Sequence, residues 1–154
     1  MPYRKFSAIL SLVVSIGFFA AMVALIFVGP RLFELYINYR ASAIDVQKFG
    51  ELMKVYKRAL YPCIAVGLPA AYCVVRLLIN IIKDRPFAKE NVTYIRIIAW
   101  GCIAVGIITL VAAFYFLPFV FVAIAAGFGG IMVHAMKNVM QSAVEIKEEN
   151  DLTI

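Results

Sequence analysis

Charge is absent from residues 7–29, and polar side chains enter that stretch only as Ser7, Ser11 and Ser15. A helix of this length rises about 34 Å at 1.5 Å per residue, enough to cross about 30 Å of hydrocarbon. Pro30 and Arg31 follow and are expected to end it, because proline removes a backbone donor and clashes with the preceding turn. A second apolar run, 61–82, is interrupted only by Arg76 and Asn80 before Lys83, Asp84, Arg85 and Pro86 stop it. A third enters lipid near Ile97 and runs to Leu117. Pro118 then breaks the chain, and a fourth run covers 119–135, with a polar tail over 137–154. This run is near the short limit of about 17 residues for a span, so its helix is expected to continue past Met136 into the tail.

The 31 residues from Pro30 to Leu60 are too regular for a flexible linker. Val46, Phe49, Met53, Tyr56 and Leu60 recur at spacings of three and four, which is one apolar stripe of a helix. Ser42 and Asp45 match the loose capping pattern Ser/Thr-x-x-Asp/Glu, which predicts a helix start near Ala43 that continues into the second span. Pro69, near the middle of that span, is expected to bend it.

Composition agrees with lipid as the solvent. The chain is 64% hydrophobic and 16% charged, against about 45–50% and about 25% in soluble domains. The predicted fold is therefore all-α: one transmembrane domain, a bundle of four transmembrane helices with an extra helical segment between the first and second. The N-terminal run is too long for the core of a cleaved signal peptide and reads as a retained signal-anchor helix.

The net charge of +6 would suggest nucleic acid in a soluble protein, but here the cations flank the spans, where they meet headgroups and set orientation. No direct nucleic-acid binding is expected. Lys83, Arg85, Lys89 and Arg96 follow the second span, whereas the turn over 115–119 has no charge. By the positive-inside rule the first connection is cytoplasmic and both termini join it. Arg31, Arg40, Lys48, Lys54, Lys57 and Arg58 pull the other way, half offset by Glu34, Asp45 and Glu51.

Small residues permit close helix approach in lipid, and the fourth span presents Ala123, Ala126, Gly127, Gly129 and Gly130. They suit packing inside one bundle and also a homodimer interface. Arg76, the charged residue inside a span, and Asn80, one turn further on, are the intramembrane polar pair. Arg76 lies close enough to the span's end to snorkel to the headgroups, and an interior functional contact is the competing reading. His134 has no second ligand at metal-binding spacing. Cys63, Cys73 and Cys102 lack CxxC spacing and read as small buried hydrophobes. Ser11, Ser15 and Thr109 are expected to bond back to their own helix. No Ser-His-Asp, HExxH, GxGxxG or Walker pattern occurs, so the sequence predicts a non-enzymatic protein without metal or cofactor.

Two polar segments remain. Pro86-Phe-Ala-Lys-Glu-Asn-Val92 leads into Arg96-Ile-Ile-Ala-Trp100, and the chain closes on Glu148-Glu-Asn-Asp-Leu-Thr-Ile154. In this order and spacing, with four spans around them, they resemble a family of small bacterial membrane proteins, domain-of-unknown-function family 2975. Two positions depart from the family pattern: Ala88 stands where Ser or Thr is usual, and Ala99 where Gly is usual. Without a Ser cap the third helix is expected to fray at its start.

The resemblance implies a multi-pass protein of the bacterial cell membrane, encoded beside a small helix-turn-helix transcription factor, and hence a regulatory pairing with it. Arg85, Phe87, Glu90, Asn91, Glu148, Glu149, Asp151 and Leu152 would form the docking surface, the acidic tail matching a basic DNA-binding helix. The alternative is a small transporter or immunity-type membrane protein, for which Arg76 and Asn80 would begin a polar path.

Overall fold

The computed structural model describes residues 2–40 and 46–151, and these form four helices: α1 Pro2–Arg40, α2 Val46–Ile82, α3 Lys89–Ala113 and α4 Phe119–Asp151. Each is long and apolar enough to cross a membrane, as the four hydrophobic runs require. Two boundaries differ from the sequence reading. Pro30 does not end α1, which continues to Arg40. The continuation is fastened from outside, since Gly29, Phe33 and Ile37, one turn apart, are all buried and Phe33 stacks on Tyr56 of α2 with ring centroids 4.0 Å apart. One missing backbone donor does not undo that packing.

As the shortness of the fourth run predicts, α4 continues past Met136 without a break to Asp151, so the described part of the polar tail is helical. The second boundary to differ moves inward. Leu117 precedes Pro118 and is pushed out of helical geometry, and α3 stops at Ala113. Tight bonds from Tyr115 and Phe116 N–H to the Ala112 carbonyl, each 3.0 Å, then turn the chain.

The helix expected between the first two spans is present and continuous with the second, through Pro62 and Pro69. The capping pair Ser42 and Asp45 lies outside the described residues, while Met53, Tyr56 and Leu60 of the stripe are half-buried.

Neighbouring helices are antiparallel and pack in chain order, α1 on α2, α2 on α3 and α3 on α4; among the described residues no other helix pair makes close backbone contact. The arrangement is therefore an open row. Helix α1 forms one edge, touching α2 along a half-buried stripe that includes Leu12, Ser15, Phe19, Met22 and Ile26, with its remaining faces open. The tightest seam is α3 against α4. A Cβ on Gly106 would sit 3.2 Å from the Gly127 nitrogen, and one on Gly130 would lie 3.0 Å from the Ile103 nitrogen. Ala123 and Gly130 of the small-residue stripe are thus used inside the chain. Thr109 bonds back to the Val105 carbonyl at 2.7 Å, as expected for a hydroxyl within a lipid-embedded helix.

Helices this long exceed the hydrocarbon layer. At 1.5 Å per residue α1 and α2 each span more than about 50 Å, so they project at one end of the row, and α4 projects at the other. An aromatic cluster marks the first end: Phe116 meets Phe33 and Phe119 edge-on at centroid distances of 5.8 and 5.7 Å.

Candidate functional site

The opposite end of the row is built where α2 stops. The Arg85 N–H donates to the Asn80 carbonyl at 2.9 Å and the Asp84 N–H to the Ile81 carbonyl at 3.1 Å. These are the paired bonds of a Schellman helix end, whose left-handed position normally takes glycine. Here Asp84 holds it, at φ 56°; a short polar side chain tolerates this conformation better than a branched one. Pro86 follows and cannot extend the helix.

Asn91 locks the turn in place. Its Nδ2 donates to the carbonyls of Arg85 (3.0 Å) and Pro86 (2.8 Å), and its Oδ1 accepts from Asn80 Nδ2 at 2.7 Å. One side chain therefore joins the last turn of α2, the loop and the first turn of α3. Its exposure is 0%. This corrects the expectation that Asn91 belongs to a docking surface: it has no accessible atom to offer, and its hydrogen bonds are spent on the backbone beneath the loop.

Ala88 occupies the N-cap of α3 with extended backbone (φ −78°, ψ 139°) and makes no side-chain cap bond. The geometry suits a hydroxyl. Ala88→Ser is expected to stabilise the protein by about 1 kcal/mol, measured as a higher denaturant midpoint in detergent micelles. An unchanged or lowered midpoint would mean that the first turn is already satisfied.

The two polar segments, far apart in sequence, meet in space. Lys89 Nζ lies 2.8 Å from Glu148 Oε1, linking the start of α3 to the projecting part of α4. Beside this pair opens a cleft of about 400 Å³ lined by residues 84–88 and Lys147. Arg85 and Phe87 line it and are exposed, Phe87 by 45%. Glu90 is exposed on the first turn of α3, and Glu149 on the last turns of α4. Glu148 is half-buried and already engaged by Lys89. Leu152 and the Asp151 side chain lie outside the described residues.

Ala88, Lys89 and Lys147 fall within the two polar segments that the sequence offers for docking, whereas Asp84 reads in sequence only as part of the stop after the second span. The signal for Asp84 is a short polar residue between the end of an apolar run and a proline, where a left-handed helix end belongs. Nothing local announces that Lys147 lines the cleft, which it reaches because α4 stays helical beyond its apolar run.

The intramembrane pair is separated. Arg76 lies on the outer surface near the Tyr72 and Tyr94 side chains, whereas Asn80 turns inward to Asn91. They do not form a shared polar path. His134 is half-buried with its ring edge-on to Trp100 at 6.3 Å, and its Nδ1 has no hydrogen-bond partner among the described residues. Among those residues no group of three or more His, Cys, Asp or Glu is placed to hold a metal, and the three cysteines are free.

Four antiparallel apolar helices with polar ends define a multi-pass α-helical membrane protein. The chain belongs to the family described as Protein of unknown function (DUF2975), whose model matches residues 46–154. That match takes in α2, α3, α4 and both polar segments, and starts after α1, the edge helix of the row. Nothing among curated proteins or solved structures matches the chain.

Proposed function

We propose that this protein is a non-enzymatic membrane anchor that holds a small helix-turn-helix DNA-binding protein at the cytoplasmic face of the bacterial cell membrane. The observation that carries this reading is the Lys89–Glu148 contact, which joins two polar segments about 50 residues apart into one surface around a cleft. Phe87 supplies an apolar anchor at the rim, and Glu90, Glu145 and Glu149 supply the acidic surroundings for a basic partner. Because Arg76 faces outward and Asn80 is bonded to Asn91, the arrangement favours docking over transport.

Capture is measured as the fraction of the neighbouring helix-turn-helix protein that co-sediments with membranes carrying this chain. Reversing Glu145 and Glu149 to Lys is expected to cut that fraction several-fold, more at low salt, where exposed charges are least screened. Removing residues 150–154 is expected to reduce it while all four spans still insert. Equal capture by the full-length, truncated and charge-reversed proteins would take the tail out of the mechanism, and no capture by the full-length protein would overturn the reading.

The reading requires the loop over 83–88 to face the cytoplasm. On a background lacking Cys63, Cys73 and Cys102, a cysteine at Tyr115 is expected to react with an impermeant thiol reagent in intact cells. A cysteine at Lys89 is expected to react only after the membrane is opened. The reverse pattern would invert the orientation and exclude a cytoplasmic partner at this surface.

A further inference from the structure

At the end of the row opposite the loop over 83–88, a second cleft of about 490 Å³ runs between α2 and α3. Val55 and Pro62 line it from α2, seven residues apart on one helix face, and Ile108 and Val111 of α3 with Tyr115 of the turn that follows line it from the other side, likewise spanning seven residues. Each wall is thus about 10 Å long at 1.5 Å per residue. Apart from Arg58 and the Tyr115 hydroxyl, the lining side chains are apolar.

Its depth in the membrane follows from the sequence. The charge-free part of α2 that leads to Arg76 begins at residue 59, one position beyond Arg58, and residue 115 belongs to the uncharged turn that closes α3. Arg58 and Tyr115, both exposed, therefore sit at the headgroup level, while Pro62, Ile108 and Val111 lie in hydrocarbon. The cleft opens at its polar end to phosphate and along its length to acyl chains.

We propose that this cleft is a phospholipid site in which Arg58 binds the lipid phosphate and one acyl chain lies between α2 and α3. Charge complementarity selects the occupant. An arginine guanidinium presents a planar fork of donors that matches a phosphate, and it stands at the mouth of an apolar slot where a diacyl lipid carries its own phosphate directly above its chains. Water has nothing to bond to along the apolar walls, and the open row leaves no further helix packed over the α2–α3 seam among the described residues. Tyr115 places a hydroxyl at the same level, a common position for an interfacial tyrosine. The proposal does not depend on the docking surface, which lies at the other end of the molecule.

The test uses the full chain reconstituted in nanodiscs of equal parts phosphatidylethanolamine and phosphatidylglycerol, then released into mild detergent for native mass spectrometry. The wild-type protein is expected to retain one phospholipid. In Arg58→Gln the retained fraction is expected to fall about tenfold, the loss expected of one charge-assisted hydrogen bond. Val111→Trp, which narrows the slot from an exposed position, is expected to lower it comparably. Lys54→Gln removes the same charge one turn away, outside the cleft, and is expected to leave retention unchanged. In discs of digalactosyldiacylglycerol, which has chains but no phosphate, no lipid should be retained. Equal retention by wild type, Arg58→Gln and Val111→Trp would overturn the proposal. So would retention of the phosphate-free lipid as strong as that of phosphatidylglycerol, since the cleft would then hold ordinary surrounding lipid.

Discussion

Asn91→Asp is expected to destabilise the folded protein by more than about 3 kcal/mol, and Asn91→Ala by about 2–4 kcal/mol. The side chain is fully buried and all three of its hydrogen bonds lie within 3.0 Å. Alanine removes the Arg85 and Pro86 carbonyls' side-chain donor and leaves the Asn80 amide without its acceptor. Aspartate is nearly isosteric and still worse, because two carbonyl oxygens would then face a carboxylate oxygen where they now receive N–H groups. Asn80→Ala removes only one of the three bonds and is expected to cost less, about 1–2 kcal/mol. The measurement is reversible unfolding by dodecyl sulfate in mixed micelles, with helicity as the signal. If Asn91→Asp and Asn80→Ala shifted the midpoint equally, the bonds from Asn91 to the loop carbonyls would not contribute to stability.

The second large effect lies at the seam of α3 and α4. Gly130→Ala is expected to lower stability by about 1–3 kcal/mol, the typical cost of overpacking a tight interface. The new Cβ would lie 2.8 Å from Ile103 Cγ1, 3.0 Å from the Ile103 nitrogen and 3.2 Å from the Ala99 carbonyl oxygen. The first of these can swing aside; the two backbone atoms cannot, so α4 must move away from α3. The neighbouring glycines provide the internal control. A Cβ on Gly127 or Gly129 would meet nothing within 4 Å, so Gly127→Ala and Gly129→Ala are expected to be neutral or to stabilise by up to about 1 kcal/mol through helix propensity. Three identical substitutions within four residues should thus give opposite signs. Destabilisation of similar size at all three positions would instead mean that the whole glycine-rich face is packed, for example against a second copy of the chain.

The hydrophobic pattern alone determined that the chain has four helices able to cross a membrane, that the segment after Pro30 is helical, and that polar groups collect at the helix ends. These are consequences of solvent: a backbone in hydrocarbon must satisfy its own hydrogen bonds, so a long uncharged run has helix as its economical form. Family membership was legible for a similar reason, since the polar segments at the helix ends are short, ordered and distinctive.

The tertiary structure decided what those residues do. Pro30, which reads as a stop in sequence, lies inside α1, because packing such as Phe33 on Tyr56 outweighs one lost backbone bond. Asn91, a plausible surface residue when read alone, is buried because three helix-end groups converge on it. Arg76 and Asn80 share a helix one turn apart, yet one faces outward and the other inward. Lys89 meets Glu148 only because α3 and α4 are antiparallel and α4 stays helical beyond its apolar run. One-dimensional periodicity states which residues prefer lipid, but a polar side chain takes its role from the partner it reaches. That partner is chosen by helix rotation and register, which are fixed by close contacts such as Gly130 against Ile103 rather than by hydropathy.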